Sequence, residues 1–519
     1  MIARRGFAAN ALIVAAAVLS GCGYDDLDRD QALSSSGNAG VLRHGVSASA
    51  LNVPKAGCGP NDRVESGLQG QTTQAERDTG ASAIGFNCNL ELVGQFQGEG
   101  SKSWHLAWFD DCAYYGTNNN PLQQHAGTVV VDGSDPRKPQ ASAYLDTPAM
   151  LDPHESLKEH EGRKLLAGVE NTSFTIPEPS AMGFAIYDLS ADCRQPVLKS
   201  SVYVPDAMGH AGNFAPDGLT YYVSHTLERG LTVIDVADPA QPKVLGMIDQ
   251  LVHDLSLSAD GTRAYIAQIG RFPPRFPALT GPNGLVIMDV SDFQFRRPNP
   301  RATVISKLYW EDGGGAQQTL PVTFHGRRHL IFTDEGGSDG VGGRPGACAQ
   351  GLPPHGFARI IDISDELNPR VVSKLMLEVH DPANCPAILG DPATPSASLS
   401  YSAHYCNVDK IHNPKLLACT YQEAGLRVFD IRDPSNPREI AYYKPPAQRT
   451  AFLPGSRLWA PERDRTVEHT ASRVRFRKYK GDTQIWFAGA DNGFQIVRFT
   501  KPMHELFGKG QGQDRGDDD

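Results

Sequence analysis

Three signatures of common enzyme classes are missing from this sequence. It has no glycine-rich phosphate-binding loop, no dinucleotide-binding fingerprint and no histidine pair at the spacing used by zinc proteases. Beyond the N-terminus it also lacks any run of about 18 apolar residues, the length that a membrane-spanning helix needs. The N-terminus is therefore the one candidate for membrane attachment.

Positive charge is also in short supply. The chain has 49 lysines and arginines against 59 acidic residues, a net charge of −10. This acidic balance argues against a nucleic-acid partner. A local basic run from Arg473 to Lys480 alternates with Val474 and Phe476, a pattern typical of a solvated strand face whose charges discourage edge pairing.

The N-terminus has the features of an export signal. Arg4 and Arg5 precede an apolar run over residues 8–19, which is too short for a retained membrane helix. The run ends in Leu-Ser-Gly-Cys at 19–22, which resembles a bacterial lipobox, so we expect residues 1–21 to be cleaved and Cys22 to carry lipid such as palmitate. The alternative is an ordinary cleavable signal with an incidental cysteine. Because Gly23 rather than Asp follows Cys22, the resemblance implies an outer-membrane lipoprotein.

The segments at the two ends differ in composition from the rest of the chain. Residues 22–85 are polar and show no periodic pattern, which predicts a flexible tether between the anchor and a body that begins near Phe86. Residues 503–519 end in an acidic run, which predicts a disordered tail.

Cysteine usage agrees with export. Without Cys22 the chain keeps eight cysteines, an even number that favours disulfides in an oxidising compartment. The turn signal His-Asn-Pro at 412–414 lies midway between two of them and predicts a cross-strand bridge. Free buried thiols are the alternative for all of them. The candidate pairs are Cys406 with Cys419, Cys348 with Cys385, and Cys88 with Cys112.

A repeated strand organises the chain. Residues 425–437 read as a β-strand stopped by Asp-Pro, and residues 230–242 are nearly the same string. Weaker copies begin at Gly127, Gly183, Gly284, Gly356 and Gly493. Seven copies separated by 47 to 72 residues indicate a solenoid or a propeller.

The residues around each copy supply the remaining strands. A hairpin signalled by Asp-Gly precedes the copies at 230 and 284, and a further strand follows each Asp-Pro stop. Four antiparallel strands per unit and seven units predict an all-β, seven-bladed β-propeller over residues 86–502. Residues 89–96 resemble an outer strand without a preceding copy, whereas the last copy lacks one. We therefore expect the N-terminal strand to complete the last blade and close the ring.

The repeat resembles that of the LVIVD-repeat family of bacterial exported propellers. Residues 231–235, Leu-Thr-Val-Ile-Asp, share the first and last letters of the family's name string and have β-branched apolar residues at two positions between them. The resemblance covers roughly residues 86–500. It implies a propeller fold and an exported location, and it implies little about activity.

Histidines recur with the repeat. Each stands at the start of a repeat's first strand, and four of them precede a Tyr or Leu of the second strand by twelve residues. The fifth repeat has Gln317 or Gln318 at this place. The six are His105, His154, His210, His253, His404 and His469.

Since first strands line a propeller's channel, these residues predict a ring of imidazoles around the axis. Imidazole suits Zn, Cu, Fe and Ni, so a channel metal, Cu or Zn, is one hypothesis. The alternatives are hydrogen bonds to the neighbouring blade's backbone or to a channel water, and a proton-sensing role.

Two Gly- and Pro-rich insertions, 335–356 and 380–400, are the candidate binding loops. The acidic residues Asp334, Glu335 and Asp339 match no calcium-loop spacing and indicate a solvated turn. The leading hypothesis is thus a monomeric, lipid-anchored binding platform for an unidentified protein or glycan, not an enzyme. The alternatives are a metal-dependent enzyme or metal carrier that uses the channel histidines, and a structural component of the envelope.

Overall fold

Antiparallel sheets arranged as seven blades dominate the described part of the chain. The computed structural model describes residues 52–98, 105–116, 125–172, 181–226, 230–270, 281–340, 343–391, 399–448 and 468–507. The predicted signal peptide, Cys22 and the tail after residue 507 lie outside these ranges. The predicted all-β, seven-bladed propeller is confirmed.

Blades 1–5 each contain four strands in chain order, whereas blades 6 and 7 each take one further strand from the segment before blade 1. The first strand of each blade borders the channel. Two strands precede the first complete blade: β1 Phe86–Cys88 and β2 Leu90–Phe96. Blade 1 consists of β3 Ala107–Phe109, β4 Cys112–Gly116, β5 Thr128–Asp132 and β6 Gln140–Leu145. Blade 2 consists of β7 Lys158–His160, β8 Leu165–Val169, β9 Ala181–Asp188 and β10 Val197–Pro205. Blade 3 consists of β11 Gly212–Phe214, β12 Thr220–Ser224, β13 Leu231–Asp235 and β14 Lys243–Ile248.

The remaining blades follow the same plan. Blade 4 consists of β15 Leu255–Leu257, β16 Arg263–Gln268, β17 Gly284–Asp289 and β18 Thr303–Tyr309. Blade 5 consists of β19 Gly314–Phe324, β20 Arg327–Gly336, β21 Ala358–Asp362 and β22 Arg370–Leu375. Blade 6 consists of β23 Cys406–Val408, β24 Leu416–Thr420, β25 Leu426–Asp430 and β26 Arg438–Lys444. Blade 7 consists of β27 Arg475–Tyr479, β28 Asp482–Gly489 and β29 Gly493–Phe499.

The ring closes as the sequence predicts. Strand β2 pairs antiparallel with β29, with Leu90 opposite Phe499 and Phe96 opposite Phe494, and so becomes the outer strand of blade 7. Strand β1 adds a fifth strand to blade 6, with Phe86 opposite Lys444, which the sequence did not predict. The polypeptide thus ties two neighbouring blades together at the point where the ring closes.

The Asp-Pro stop works through its side chain. Asp433 Oδ1 accepts a hydrogen bond of 3.0 Å from the backbone N–H of Ser435, two residues on. Asp238 makes the same bond to Ala240. The side chain therefore takes over a donor that the sheet no longer pairs, and the strand ends there.

Burial follows position in the blade. The middle strands β12 and β13 are almost fully buried, because neighbouring blades cover both of their faces. The outer strand β10 is mostly exposed. Apolar residues of adjacent blades form the core, whereas the channel receives the polar residues at the start of each first strand.

The predicted flexible tether is wrong for residues 52–85, which fold against blades 5 and 6. Glu65 makes a bidentate ion pair with the fully buried Arg427, at 2.7 and 2.9 Å, and Arg77 pairs with Asp391 at 2.9 Å. Polar composition suggested solvation, but these charges instead neutralise buried partners that are hundreds of residues away in the chain. Helix α1, Gln74–Asp78, lies in this segment.

Short helices occupy connections between strands. They are α2 Pro148–Leu151, α3 Ser291–Gln294, α4 Arg344–Ala349, α5 Cys385–Leu389 and α6 Met503–Leu506, with 3-10 turns at Ala81–Ala83, Glu161–Arg163, Glu378–His380 and Pro382–Asn384. The predicted disordered tail is wrong at its start, since Met503, Leu506 and Phe507 pack against the core between blades 6 and 7. None of the helices in the described ranges is long and apolar enough to cross a membrane.

All eight cysteines of the described residues form disulfides. Cys406–Cys419 and Cys348–Cys385 are paired as predicted. The predicted Cys88–Cys112 pair is wrong: Cys88 bonds Cys58 and Cys112 bonds Cys193. Cys58 belongs to the segment taken for a tether, and no local pattern of residues places it beside β1. Four disulfides are typical of exported proteins.

Candidate metal centre

The channel histidines precede equivalent strands. His210, His253 and His404 each stand two residues before the first strand of their blade, β11, β15 and β23. His154 stands four residues before β7. All four are buried. Because the first strands surround one axis, the same position in each blade faces the same point, as the spacing predicts.

That point is occupied by a carboxylate, Glu155. Its Oε1 is 3.0 Å from His404 Nε2, and its Oε2 is 3.3 Å from His210 Nε2 and 3.4 Å from His253 Nε2. His154 Nε2 lies 3.9 Å from Oε1. We call Glu155 and these four histidines the Glu155 cluster.

An unusual backbone conformation places two successive side chains in the Glu155 cluster. In an extended strand His154 and Glu155 would point to opposite faces. His154 has φ of +46°, in the left-handed region that non-glycine residues rarely adopt. The chain turns there, and both side chains reach the axis. Such strain is found mainly where function or surrounding structure requires it.

Blade 5 contributes an amide and a second carboxylate. Gln317 Nε2 donates to Glu155 Oε1 at 3.0 Å and lies 3.1 Å from His404 Nε2, whereas Gln318 bonds the backbone of Cys406. Gln317 is therefore the residue that replaces the histidine of the other repeats. The buried Glu335 lies 3.6 Å from His404 Nε2.

The interpretation of Asp334 and Glu335 as part of a solvated turn is wrong. Glu335 faces the cluster, and Asp334 Oδ2 accepts from Arg359 Nη2 at 2.6 Å in the interior. Both carboxylates lie near the end of β20, a strand whose second half is buried by its neighbours. Asp339 alone of the three is exposed.

Backbone carbonyls of the next blade orient two of the rings. His253 Nδ1 lies 3.2 Å from the carbonyl oxygen of Gln317, and His404 Nδ1 lies 2.6 Å from that of Ala471. A carbonyl oxygen only accepts, so Nδ1 carries the proton and a neutral ring presents its Nε2 lone pair to the axis. The bond to the neighbouring blade, one alternative raised by the sequence, is thus present and also prepares the ring to bind a metal.

Two of the six predicted histidines stand outside the Glu155 cluster as we define it. His105 Nδ1 lies 2.7 Å from the carbonyl oxygen of Leu157, and its ring packs 4.8 Å from that of Tyr405. His469 is buried before blade 7, next to Thr470, which bridges blades 6 and 7. The ring of six is therefore reduced to a cluster of four with an acid at its centre.

Charge in the cluster is distributed unevenly. Burial alone would raise the pKa of Glu155, but His253, His210 and His404 hold it well below its usual range. Burial alone would lower the pKa of His404, but Glu155 and Glu335 raise it to about 9. Burial lowers the pKa of His210 in spite of Glu155.

Atoms that can ligate a metal lie close together in the rest of the cluster. Glu155 Oε2 lies 3.3 Å from His210 Nε2 and 3.4 Å from His253 Nε2, and the two nitrogens are 3.1 Å apart. One cation could bond to all three atoms, since metal–ligand bonds of about 2.1 Å place ligand atoms about 3.0–3.4 Å apart. The donor set of imidazoles and a carboxylate therefore fits a transition metal.

Sequence reasoning found the histidines and missed both carboxylates. Glu155 directly follows a repeat histidine, and that adjacency was the available signal. Period-two alternation, however, places Glu155 on the opposite face, and only the left-handed backbone at His154 brings it inward. Glu335 carried no repeat signal at all.

Comparison with known protein families identifies the repeat. Residues 222–250 match the LVIVD repeat. No curated protein matches the sequence.

Distant likenesses among solved structures include Kuenenia stuttgartiensis hydrazine synthase, at 11% identity and TM-score 0.45 over 79% of this chain and 97% of that chain. The periplasmic gluconolactonase PpgL of Pseudomonas aeruginosa matches at 14% identity and TM-score 0.42, over 80% and 99% of the two chains. The Swd1 β-propeller domain of Myceliophteria thermophila matches at 11% and 0.47, over 79% and 100%. At these identities and TM-scores the likenesses say nothing about function.

Proposed function

We propose that this protein binds one transition metal ion in the propeller channel through the Glu155 cluster. The observation that supports this most strongly is the convergence of buried imidazoles on one buried carboxylate, with Glu155 Oε2 3.3 Å from His210 Nε2 and 3.4 Å from His253 Nε2. Imidazole nitrogens and a carboxylate oxygen gathered at one buried point form a ligand set that suits a transition metal.

The donor set favours copper or zinc. Imidazole nitrogen is a ligand for Zn, Cu, Fe and Ni, and copper binds most tightly of the divalent series at a given nitrogen and oxygen site. The ligand residues come from blades 2, 3, 4 and 6, so a bound ion would cross-link more than half of the ring. We infer that metal binding stabilises the closed propeller as well as filling its channel.

Metal analysis tests this proposal. Protein stripped with a chelator, then incubated with one equivalent of Cu(II) or Zn(II) and desalted, is expected to retain about one ion per chain. His210→Ala, His253→Ala and His404→Ala each remove one imidazole and are expected to lose it.

His412→Ala is the matched control. This exposed histidine sits on a blade-6 turn and bonds Thr323 Oγ1 at 2.9 Å, so its loss should leave the metal content unchanged. Wild-type protein that retains neither metal after desalting would overturn the proposal, as would variants of the channel histidines that load like the wild type.

A binding surface on the blade-end loops is the second candidate, as the sequence predicted. The Cys348–Cys385 disulfide joins the two insertions of blade 5, which makes them one rigid unit. Residues 69–77 cover part of this unit, because the backbone N–H of Gln69 donates to Glu378 and Arg77 donates to Asp391. Less of this surface is therefore exposed than the sequence suggested. Leu389→Glu changes an exposed apolar residue of α5, and it should abolish the binding of a protein or glycan to this surface.

We also propose that Cys22 is lipidated and anchors the protein to the outer membrane. The lipobox resemblance at residues 19–22 supports this, and the four disulfides agree with export. Cys22→Ala is expected to move the protein from the detergent phase to the aqueous phase in a phase-separation assay. An unchanged distribution would contradict the anchor.

A further inference from the structure

A polar cavity of about 170 Å³ lies in the channel next to the Glu155 cluster. Its walls come from the first strands and the residues around them in six blades, including Lys158, Asn213, Asp254, Thr319, Asn407 and Arg473.

The cavity and the cluster are neighbours along the same strands. Asp254 directly follows His253, and Lys158 comes three residues after Glu155, a distance of about 10 Å at most along a strand. The cavity is therefore continuous in sequence and space with the proposed metal centre.

Most polar groups of the cavity wall are paired with one another. Gln318 bonds the backbone N–H and carbonyl of Cys406, and Ser256 Oγ lies 2.7 Å from Thr319 Oγ1. Arg473 makes a bidentate ion pair with Glu159, at 3.0 and 3.2 Å. These side chains shape the cavity and have little bonding capacity left for a ligand.

Lys158 is the exception. It is only 5% exposed, and its nearest acid, Asp254 Oδ2, is 3.9 Å from Nζ, beyond hydrogen-bond distance. Within the described residues Nζ has no hydrogen-bond acceptor, although an ammonium offers three donors. Burial lowers the pKa of Lys158 to about 8, so the ammonium is still charged at neutral pH.

Asp254 is the acidic partner of Lys158 in this separated ion pair. Its Oδ1 accepts from the N–H of Leu255 at 2.7 Å, and its Oδ2 faces Lys158 across the gap of 3.9 Å. The cavity wall therefore presents one strong donor and, close beside it, one strong acceptor. A buried ion pair held apart in this way is costly unless something lies between or beside the charges.

We infer that this cavity binds a small hydroxycarboxylate, whose carboxylate accepts from Lys158 Nζ and whose hydroxyl donates to Asp254 Oδ2. A charged donor forms its strongest hydrogen bonds with a carboxylate. A hydroxyl suits Asp254 better than an ammonium would, because Lys158 Nζ already lies 3.9 Å from Asp254 Oδ2 and would repel a second cation placed beside it. This site goes beyond the proposed metal function and does not require the metal.

Ligand-observed NMR titration of metal-free protein tests the inference, with three probes of similar size. Glycolate carries both groups, acetate lacks the hydroxyl and ethylene glycol lacks the carboxylate. We expect glycolate to bind several-fold more tightly than acetate, and ethylene glycol not to bind. Lys158→Gln is expected to weaken glycolate binding by about tenfold or more, the usual effect of losing a charged hydrogen bond. Lys164→Gln, at an exposed lysine of the same blade, should change it less than twofold.

Asp254→Asn provides an independent variant if Lys158→Gln does not fold. It is expected to remove the preference for glycolate over acetate and to keep acetate binding. The inference is overturned if wild-type protein binds no glycolate, if Lys158→Gln binds it as the wild type does, or if ethylene glycol binds equally well. Because the titrations use metal-free protein, a failure of metal loading leaves their outcome unaffected.

Discussion

Two buried clusters of charge in this propeller are built on opposite principles. Around Arg427, donors face acceptors: its guanidinium reaches Glu439 Oε1 at 3.0 Å and both oxygens of Glu65, and Lys444 Nζ donates to the backbone carbonyls of Gly70 and Gln71. In the Glu155 cluster, the Nε2 atoms of His210 and His253 and Oε2 of Glu155 lie within 3.1–3.4 Å of one another.

The difference separates a structural cluster from one suited to a ligand. Burial would lower the pKa of Arg427, but Glu65 and Glu439 raise it, and Arg427 and Lys444 outweigh burial to lower the pKa of Glu65. That network is complete with the protein's own atoms, and it fastens the N-terminal segment to blade 6. The Glu155 cluster, we propose, is completed by a bound cation. A change in one cluster should therefore leave the other unaffected.

The largest effect is expected from Arg427→Met. Removing Arg427 from the buried ion network takes away the cation that pairs with Glu439 and leaves Glu65 with Lys444 alone, at 3.5 Å. Breaking a buried ion pair in this way typically costs about 3–5 kcal/mol. Urea unfolding should show this loss, while the metal content per folded chain stays that of the wild type. Loss of metal at full stability would contradict the division between the two clusters.

Arg498→Met is the matched control for that measurement. Arg498 pairs with Glu91 at 2.6 Å on the surface, where both side chains are nearly half exposed. Exposed pairs contribute about 0–1 kcal/mol, so the free energy of unfolding should change little. An effect as large as that of Arg427→Met would mean that burial is not the cause.

The next effect is the loss of metal on Glu155→Gln. The amide keeps the size of the side chain and removes the charge that three histidines face, so we expect metal affinity to fall by roughly 100-fold or more. Glu439→Gln makes the same chemical change in the Arg427 cluster and should lower stability without changing metal affinity. Competition against a chelator of known affinity measures both variants, and equal metal affinities would refute the assignment.

A smaller effect is expected when the pH is lowered and the ion pairs of Arg359 are weakened. Arg359 occupies in β21 the place that Arg427 has in β25. Burial would raise the pKa of Asp312, but Arg359 and Lys374 lower it to about 2. A carboxyl group whose pKa is lower in the folded than in the unfolded chain stabilises the fold at pH values above its unfolded pKa, which is near 4. This contribution, about 2 kcal/mol, is lost as the pH falls from about 4 to 2. The Asp312→Asn variant should lack this stabilisation at neutral pH. Its free energy of unfolding in urea should therefore fall less than that of the wild type as the pH is lowered.

The fold could be predicted from local signals that repeat. The Asp-Pro stop uses a side chain that bonds two residues on, so a short string of letters determines where the strand ends. Closure of the ring by residues 89–96 was predictable because these residues resemble an outer strand without a preceding repeat, whereas the last repeat lacks an outer strand. Residues 52–85 could not be predicted in this way, because Glu65 and Arg77 are ordered by partners more than 300 residues away and no local pattern marks them.

The candidate site was predictable only where it shares the repeat. Equivalent positions in a ring converge, so the spacing of His210, His253 and His404 was sufficient to bring them together. Glu155 depends on the left-handed backbone at His154, and Glu335 on the burial of β20. Both are consequences of packing around the axis, and neither leaves a trace in the periodicity of the chain.

The smallest effect we predict comes from completing the ring. The amide nitrogen of Gln317 lies 3.0 Å from Glu155 and 3.1 Å from His404. Gln317→His would place an imidazole at this position, where blade 5 lacks the histidine of the other repeats. A further nitrogen ligand at a metal site should raise affinity by up to about tenfold, measured by chelator competition. Gln318→His is the matched control: its side chain bonds the backbone of Cys406 instead of facing the axis, so this change should lower stability and leave metal affinity unchanged. If Gln317→His weakens binding, the amide itself is a required partner of Glu155, and the axis is built for a cluster of four histidines rather than for a ring that blade 5 leaves unfinished.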